Sequence, residues 1–93
     1  MARAFELRVF VDQVGETTQV SEKFKKRELV GKLEGEYPEH YKFEFVQDKV
    51  SLLDDVLEGT YLTISFNLKG RKVEKQGQDP AYFTSLQGWK VEA

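Results

Sequence analysis

Apolar residues at every second position recur along this chain, and the pattern breaks once, for a short segment of helical spacing. Phe5, Leu7, Val9 and Val11 alternate with Glu6, Arg8, Phe10 and Asp12, as in a half-buried strand with Phe10 as the exception on the polar side. A second run spans Lys23 to Leu33, with Leu29, Gly31 and Leu33 on one parity and Phe24, Lys26, Glu28, Val30 and Lys32 on the other. A third spans His40 to Val46, where Tyr41, Phe43 and Phe45 face one way and His40, Lys42, Glu44 and Val46 the other. Asp48 to Leu57 then switches period: Val50, Leu53 and Leu57 fall three and four apart, on one face of a helix. The fourth strand turns Leu62, Ile64, Phe66 and Leu68 inward and Tyr61, Thr63, Ser65, Asn67 and Lys69 outward, and the last runs from Ala81 to Val91. The order strand–strand–strand–helix–strand–strand is that of a five-stranded Greek-key barrel of the OB type, all-β apart from one short helix between strands three and four.

Punctuation supports these limits. Residues 14–22 are polar and rich in turn formers, which predicts the first loop. Gly31 inside a strand predicts a bulge or a sharp barrel bend, and Gly88 another bend. Pro38 cannot donate to a ladder and marks a strand boundary. Asp48 is placed to cap the helix start and Gly59 to stop the segment. The helix is expected to plug the bottom of the barrel. Gly70 to Pro80 reads as a long polar loop.

Ninety-three residues suffice for one domain, residues 1–93, with a modest core. A hydrophobic fraction of 40% and a charged fraction of 32% fit a soluble globular chain and exclude a disordered one. No apolar run approaches the roughly 18 residues of a membrane span, so no membrane partner is expected. The opening Met1-Ala2-Arg3-Ala4-Phe5-Glu6 has no apolar signal core, and the absence of cysteine removes disulfides, thiolate catalysis and thiolate metal sites. Both fit a cytoplasmic setting.

A net charge of −2 argues against an indiscriminate polyanion binder, but the charges are unevenly placed. Lys23, Lys25, Lys26 and Arg27 form a run without an acid, and Lys69, Arg71, Lys72 and Lys75 face Glu74 alone. Acids collect at Glu34, Glu36 and Glu39 and at Asp54, Asp55 and Glu58. Such asymmetry makes one face positive or leaves two ordinary solvated edges.

Gripping single-stranded nucleic acid requires cations along the phosphates and flat rings under the bases. The candidate binding residues are Lys23, Phe24, Lys25, Lys26, Arg27, Lys42, Arg71, Lys72, Lys75 and Tyr82. Phe24 sits among charges and is either a stacking ring or a barrel-end plug. Lys42 either extends the basic stripe or pairs with Glu28 or Glu44. Arg71, Lys72 and Lys75 lie in or beside the loop between strands four and five, which flanks the ligand in OB barrels. Tyr82 is the exposed ring of the last strand, while Phe83 shares parity with Trp89 and reads as core. Phe43 and Phe45 read as core; Tyr41 is open. Phe10 is a candidate for a self-association surface.

Catalytic patterns are missing. His40 has no second histidine for a metal pair, Asp54-Asp55 reads as a solvated helix face, and Gly70, Gly77 and Gly88 match no phosphate loop. Ser51, Ser65 and Ser85 lack a recognisable general base. The chain therefore reads as a binding protein without cofactor or metal.

Taken together, Lys25-Lys26-Arg27-Glu28-Leu29-Val30, Tyr37-Pro38-Glu39-His40, Phe43-Glu44-Phe45-Val46-Gln47-Asp48-Lys49, Phe66-Asn67-Leu68-Lys69-Gly70-Arg71 and Tyr82-Phe83-Thr84-Ser85-Leu86-Gln87-Gly88-Trp89 resemble a small bacterial and phage family of unknown function. That family is regarded as OB-fold and similar to single-stranded-DNA-binding proteins. The resemblance spans nearly the whole chain and implies an OB barrel and single-strand binding. Well-characterised bacterial single-strand-binding proteins carry a disordered acidic tail that recruits partners. The ending Trp89-Lys90-Val91-Glu92-Ala93 is not such a tail, so the likeness is expected to stop short of that recruitment. The leading expectation is a sequence-tolerant single-stranded-DNA-binding barrel that forms a homo-oligomer, a dimer being the expected state. The alternatives are an oligomerising protein-interaction barrel and an RNA-binding barrel.

Overall fold

A computed structural model describes residues 4–93; Met1–Arg3, part of the segment read as lacking a signal core, lie outside the described residues. The strands are β1 (Ala4–Val14), β2 (Thr18–Ser21), β3 (Phe24–Leu33), β4 (Glu39–Val46), β5 (Tyr61–Val73) and β6 (Ala81–Glu92), with a 3₁₀ helix over Gln47–Leu53. β1 pairs antiparallel with β3 and with β5, β3 with β4, and β5 with β6. A short parallel contact between β4 and β6, Phe43 opposite Leu86 and Glu44 opposite Gln87, closes the ring. The result is the expected five-stranded all-β OB barrel, with its single helical turn between the third and fourth barrel strands. β2 is an addition: residues 18–21 of the expected loop pair with β3 and extend its edge.

The alternation seen in the sequence builds the interior. Val9, Val11, Leu29, Phe43, Phe45, Leu62, Ile64 and Phe66 point inward and are buried, with Leu53 beneath them. Phe43 meets Phe66 edge to face at 5.3 Å between ring centroids, a favoured aromatic geometry. Phe43 and Phe45 are core as expected, and Tyr41 packs against that core from its rim.

Two glycines let strands approach. A Cβ on Gly31 would stand 2.6 Å from Val9 Cγ2, and one on Gly88 would stand 2.4 Å from Phe45 Cε2 and Cζ. Neither glycine is itself the expected irregularity. Opposite Gly31, the register slips on β1 between Val11 and Gln13; on β6 the extra residue is Trp89, beside Gly88.

The helix differs from expectation in type and length. Val50 and Leu53, three apart, are buried and cap the barrel bottom, matching the three residues per turn of a 3₁₀ helix. Leu57, which needs the α-helical period to share that face, is 69% exposed. Asp48 makes no capping hydrogen bond; its backbone carbonyl accepts from Ser51 Oγ at 3.0 Å. After the helix, Gly59 donates its N–H to the Val11 carbonyl at 2.8 Å and leads the chain back to β5.

The expected loop from Gly70 to Pro80 is also shorter. β5 and β6 stay paired out to Val73 opposite Ala81, so a two-stranded arm extends from the barrel with only 74–80 as its loop.

Candidate nucleic-acid interface

A concavity of about 820 Å³ lies where the outer faces of β3 and β4 meet the β5–β6 arm. β3 contributes Phe24 and Lys26, β4 contributes Lys42 and Glu44, β5 contributes Lys69, Gly70 and Arg71, and β6 contributes residues 83–87. Four cations thus border the groove against one carboxylate in its lining. Lys26 Nζ stands 3.7 Å from Glu44 Oε1 and 3.9 Å from Glu28 Oε2, and Lys42 Nζ stands 3.5 Å from Glu28 Oε2. Lys42 therefore both enters the groove and pairs with Glu28. These are long, partly exposed pairs, worth at most about 1 kcal/mol each.

Strand parity sorts the basic run of residues 23–27. Phe24 and Lys26 face the groove. Arg27 turns inward with Leu29 and is held away from the groove: its Nε donates to the Gly15 carbonyl at 2.7 Å, and Nη1 to Asp54 Oδ1 at 2.8 Å and to the Val50 carbonyl at 3.4 Å. Its side chain is only 17% exposed, and it ties the β1–β2 turn to the 3₁₀ helix. Lys25 shares Arg27's parity, and Lys23 lies in the β2–β3 turn outside the groove lining.

Gln47 fixes that turn. Its backbone adopts φ of +55°, rare for a side-chain-bearing residue, and its amide spans the turn: Nε2 donates to the Lys23 carbonyl at 2.9 Å, and Oε1 accepts from the Lys25 N–H at 3.2 Å. These two bonds set where Phe24 emerges. No periodicity argument identifies such a residue.

On the arm, register places Arg71 opposite Phe83 and Lys72 opposite Tyr82. The Arg71 guanidinium carbon lies 5.7 Å from the Phe83 ring centroid, and Lys72 Nζ 6.0 Å from that of Tyr82, both within cation–π range. Alternation sends the two pairs to opposite faces, and only Arg71 and Phe83 line the groove. Tyr82 is exposed as expected, but on the arm's other face, and Lys72 there pairs with Glu74 at 2.9 Å. Lys75 lies in the exposed loop.

Phe83 corrects the sequence reading. It is 55% exposed, not core. Parity on β6 is set by Leu86 and the buried Gly88, so Phe83, Ser85 and Gln87 fall on the groove side; Phe83 does share parity with Trp89, but Trp89 is the extra residue of the bulge and does not mark an inward face. Trp89 is itself 40% exposed. The groove thus unites Phe24, Lys26, Lys42 and Arg71 from the candidate set, adds Lys69, Glu44, Phe83, Ser85 and Gln87, and leaves Lys23, Lys25, Arg27, Lys72, Lys75 and Tyr82 outside its lining.

The opposite wall of the barrel is built differently. Phe10 packs edge-on against Tyr61 at 5.4 Å, Arg8 Nη1 donates to Thr63 Oγ1 at 3.0 Å, and the Tyr61 hydroxyl donates to Glu34. The Tyr61 phenol pKa is raised, first by this hydrogen bond and then by the Glu34 charge. Phe10 is half covered by these contacts.

No group of three or more potential metal ligands occurs among the described residues, and no helix there is long and apolar enough to cross a membrane.

Solved structures share this architecture. The mitochondrial single-stranded-DNA-binding protein Rim1 of S. cerevisiae superposes with a TM-score of 0.72 in one crystal form, at 9% identity, over 99% of this chain and 94% of that one. A second crystal form gives 0.73 at 6% identity over 99% and 95%. The SSB domain of a Synechococcus protein gives 0.73 at 14% identity over 97% and 93%. At these identities the likeness establishes the fold. Among curated protein sequences none matches. A family model described as a domain of unknown function, DUF3127, matches residues 6–92, and the chain belongs to that family.

Proposed function

We propose that this barrel binds single-stranded nucleic acid, with DNA as its ligand, along the groove between the β3–β4 face and the β5–β6 arm. The observation that carries the reading is the placement of two exposed or half-exposed rings, Phe24 and Phe83, in one groove with Lys26, Lys42, Lys69 and Arg71. Rings stack any base at about 1–3 kcal/mol each, and cations such as Lys69 and Arg71 track phosphate, contacts that by themselves select no sequence. Lys72 and Tyr82 offer a second cation and ring where a strand leaves the groove around the arm, with Lys75 at its tip. Lys23 and Lys25 lie near the other end, beside Phe24. DNA is favoured over RNA because the structural neighbours are described as single-stranded-DNA-binding. On this reading the protein acts by binding.

Titration of the isotope-labelled protein with a single-stranded 12-mer, followed by amide chemical shifts, tests the location. Shifts should concentrate at Phe24, Lys26, Lys42 and residues 69–71 and 83–87. Shifts centred on Arg8, Phe10, Tyr61 and Thr63 would place the ligand on the wrong wall.

Self-association is a second reading, favoured by one observation. Phe5 and Leu68 lie on the apolar parity of their strands yet are each nearly half exposed, an apolar patch that a second copy would cover. Sedimentation velocity showing a dimer that Leu68→Glu dissociates is the expected result.

A further inference from the structure

We infer that Glu44, with Lys26 beside it, reads guanine within the groove; this rests on the single-strand reading above. The starting observation is an arrangement that phosphate tracking does not explain. Glu28 and Glu44 are direct cross-strand partners on the outer face of β3 and β4. Like charges in that position oppose strand pairing. Lys26 and Lys42 offset them from the diagonals, leaving a neutral quartet where a purely phosphate-binding surface would be cationic. Glu28 stands on the ridge toward a neighbouring hollow, whereas Glu44 lines the groove itself.

Phosphates are repelled by a carboxylate at this depth and are better served by Lys69 and Arg71 on the arm. With the backbone there, a base extending across the groove toward β4 presents its edge to Glu44. A carboxylate offers two adjacent acceptors and selects two adjacent donors. Guanine alone among the bases presents them, N1–H and the N2 amino group, on its Watson–Crick edge. Adenine and cytosine place an acceptor nitrogen beside their single amino group, and thymine flanks its one N–H with carbonyls, so each sets an acceptor against a carboxylate oxygen. Guanine O6 adjoins N1–H, and an ammonium next to the carboxylate completes the match. Lys26 Nζ is that ammonium, 3.7 Å from Glu44 Oε1. At that separation the pair makes no direct hydrogen bond, so the carboxylate oxygens remain available to a base. Across the parallel closure Glu44 is registered with Gln87, whose half-buried side chain lines the same groove and adds a further polar partner.

Fluorescence anisotropy with two labelled 12-mers, alternating thymidine–deoxyguanosine and alternating thymidine–deoxyinosine, in lithium buffer, isolates the N2 amino group. The two differ in nothing else. The guanosine strand should bind at least fivefold tighter. In Glu44→Gln, which replaces one of the two acceptors with a donor, the ratio should fall to within twofold while affinity for the inosine strand rises, because a negative charge has left the groove. Equal, salt-sensitive binding of both strands by the unaltered protein would overturn guanine readout and leave the single-strand reading standing. A fivefold preference that survives Glu44→Gln would overturn the assignment to Glu44. Binding of neither strand, even at low salt, would overturn the single-strand reading and this inference with it.

Discussion

Phe83→Ala separates two accounts of the last strand by magnitude alone. If Phe83 were a core ring, its removal would cost about 3–5 kcal/mol of folding stability. For a domain of this size, each kcal/mol shifts Tm by about 4–8 °C, so the variant would melt some 12–40 °C lower or fail to fold. The ring is instead 55% exposed, on an arm that projects beyond the barrel. Full burial of such a side chain is worth roughly 1.5–3 kcal/mol, so less than half of it here is about 1 kcal/mol. Loss of its contact with Arg71, 5.7 Å from the ring centroid, adds no more than about 1 kcal/mol at an exposed site, so Tm should fall by no more than about 16 °C. Binding should respond more strongly. A lost stacking platform costs about 1–3 kcal/mol, roughly five- to 150-fold in Kd for a single-stranded 12-mer. Differential scanning fluorimetry and anisotropy on the same sample read both quantities. A drop of 20 °C with unchanged affinity in the folded fraction would refute the placement of Phe83 in the groove.

Other perturbations test other contacts. Gly88→Ala places a methyl 2.4 Å from the ring of the fully buried Phe45, and such overpacking should cost about 1–3 kcal/mol, read as a lower urea midpoint; an unchanged midpoint would mean that β6 does not run this close to the core. Lys69→Ala with Arg71→Ala should reduce the slope of log affinity against log salt by about 1.4, two phosphate contacts at about 0.7 each for a single strand. An unchanged slope would remove the arm from the phosphate path. Tyr61 holds its proton more tightly when folded, because its hydroxyl donates to Glu34, so its contribution to stability is present below the ordinary phenol value and is lost as pH rises through the raised folded value. Glu34→Gln should move one tyrosine of the alkaline absorbance titration back toward ordinary pH; no movement would show that the Glu34 contact is not formed in solution.

The barrel was legible in the sequence because its interior enforces a period of two. Val9 and Val11, Phe43 and Phe45, and Leu62 and Ile64 each announce an inward face, and all are buried. Legibility fails where no interior imposes the pattern. Beyond Lys69 the β5–β6 arm is polar and exposed, and what makes it a strand is pairing with residues 81–84, distant in sequence, so Gly70 to Val73 reads as loop. That misreading hid the Arg71–Phe83 partnership. The basic run of residues 23–27 misleads in the opposite way. Its charges are contiguous in sequence, but strand alternation sends Arg27 to the barrel bottom and Lys26 to the groove. Gln47 and the 3₁₀ turn escape because their roles depend on hydrogen bonds to Lys23 and Lys25 and on one rare backbone conformation.

The most direct test of the groove is anisotropy of a labelled, mixed-sequence single-stranded 12-mer at low and moderate salt, with duplex DNA and the equivalent RNA as competitors. The account predicts saturable binding that weakens steeply with salt, poor competition by duplex, and weaker competition by RNA than by single-stranded DNA. Absence of binding at low salt, or duplex competing as well as single strand, would contradict it.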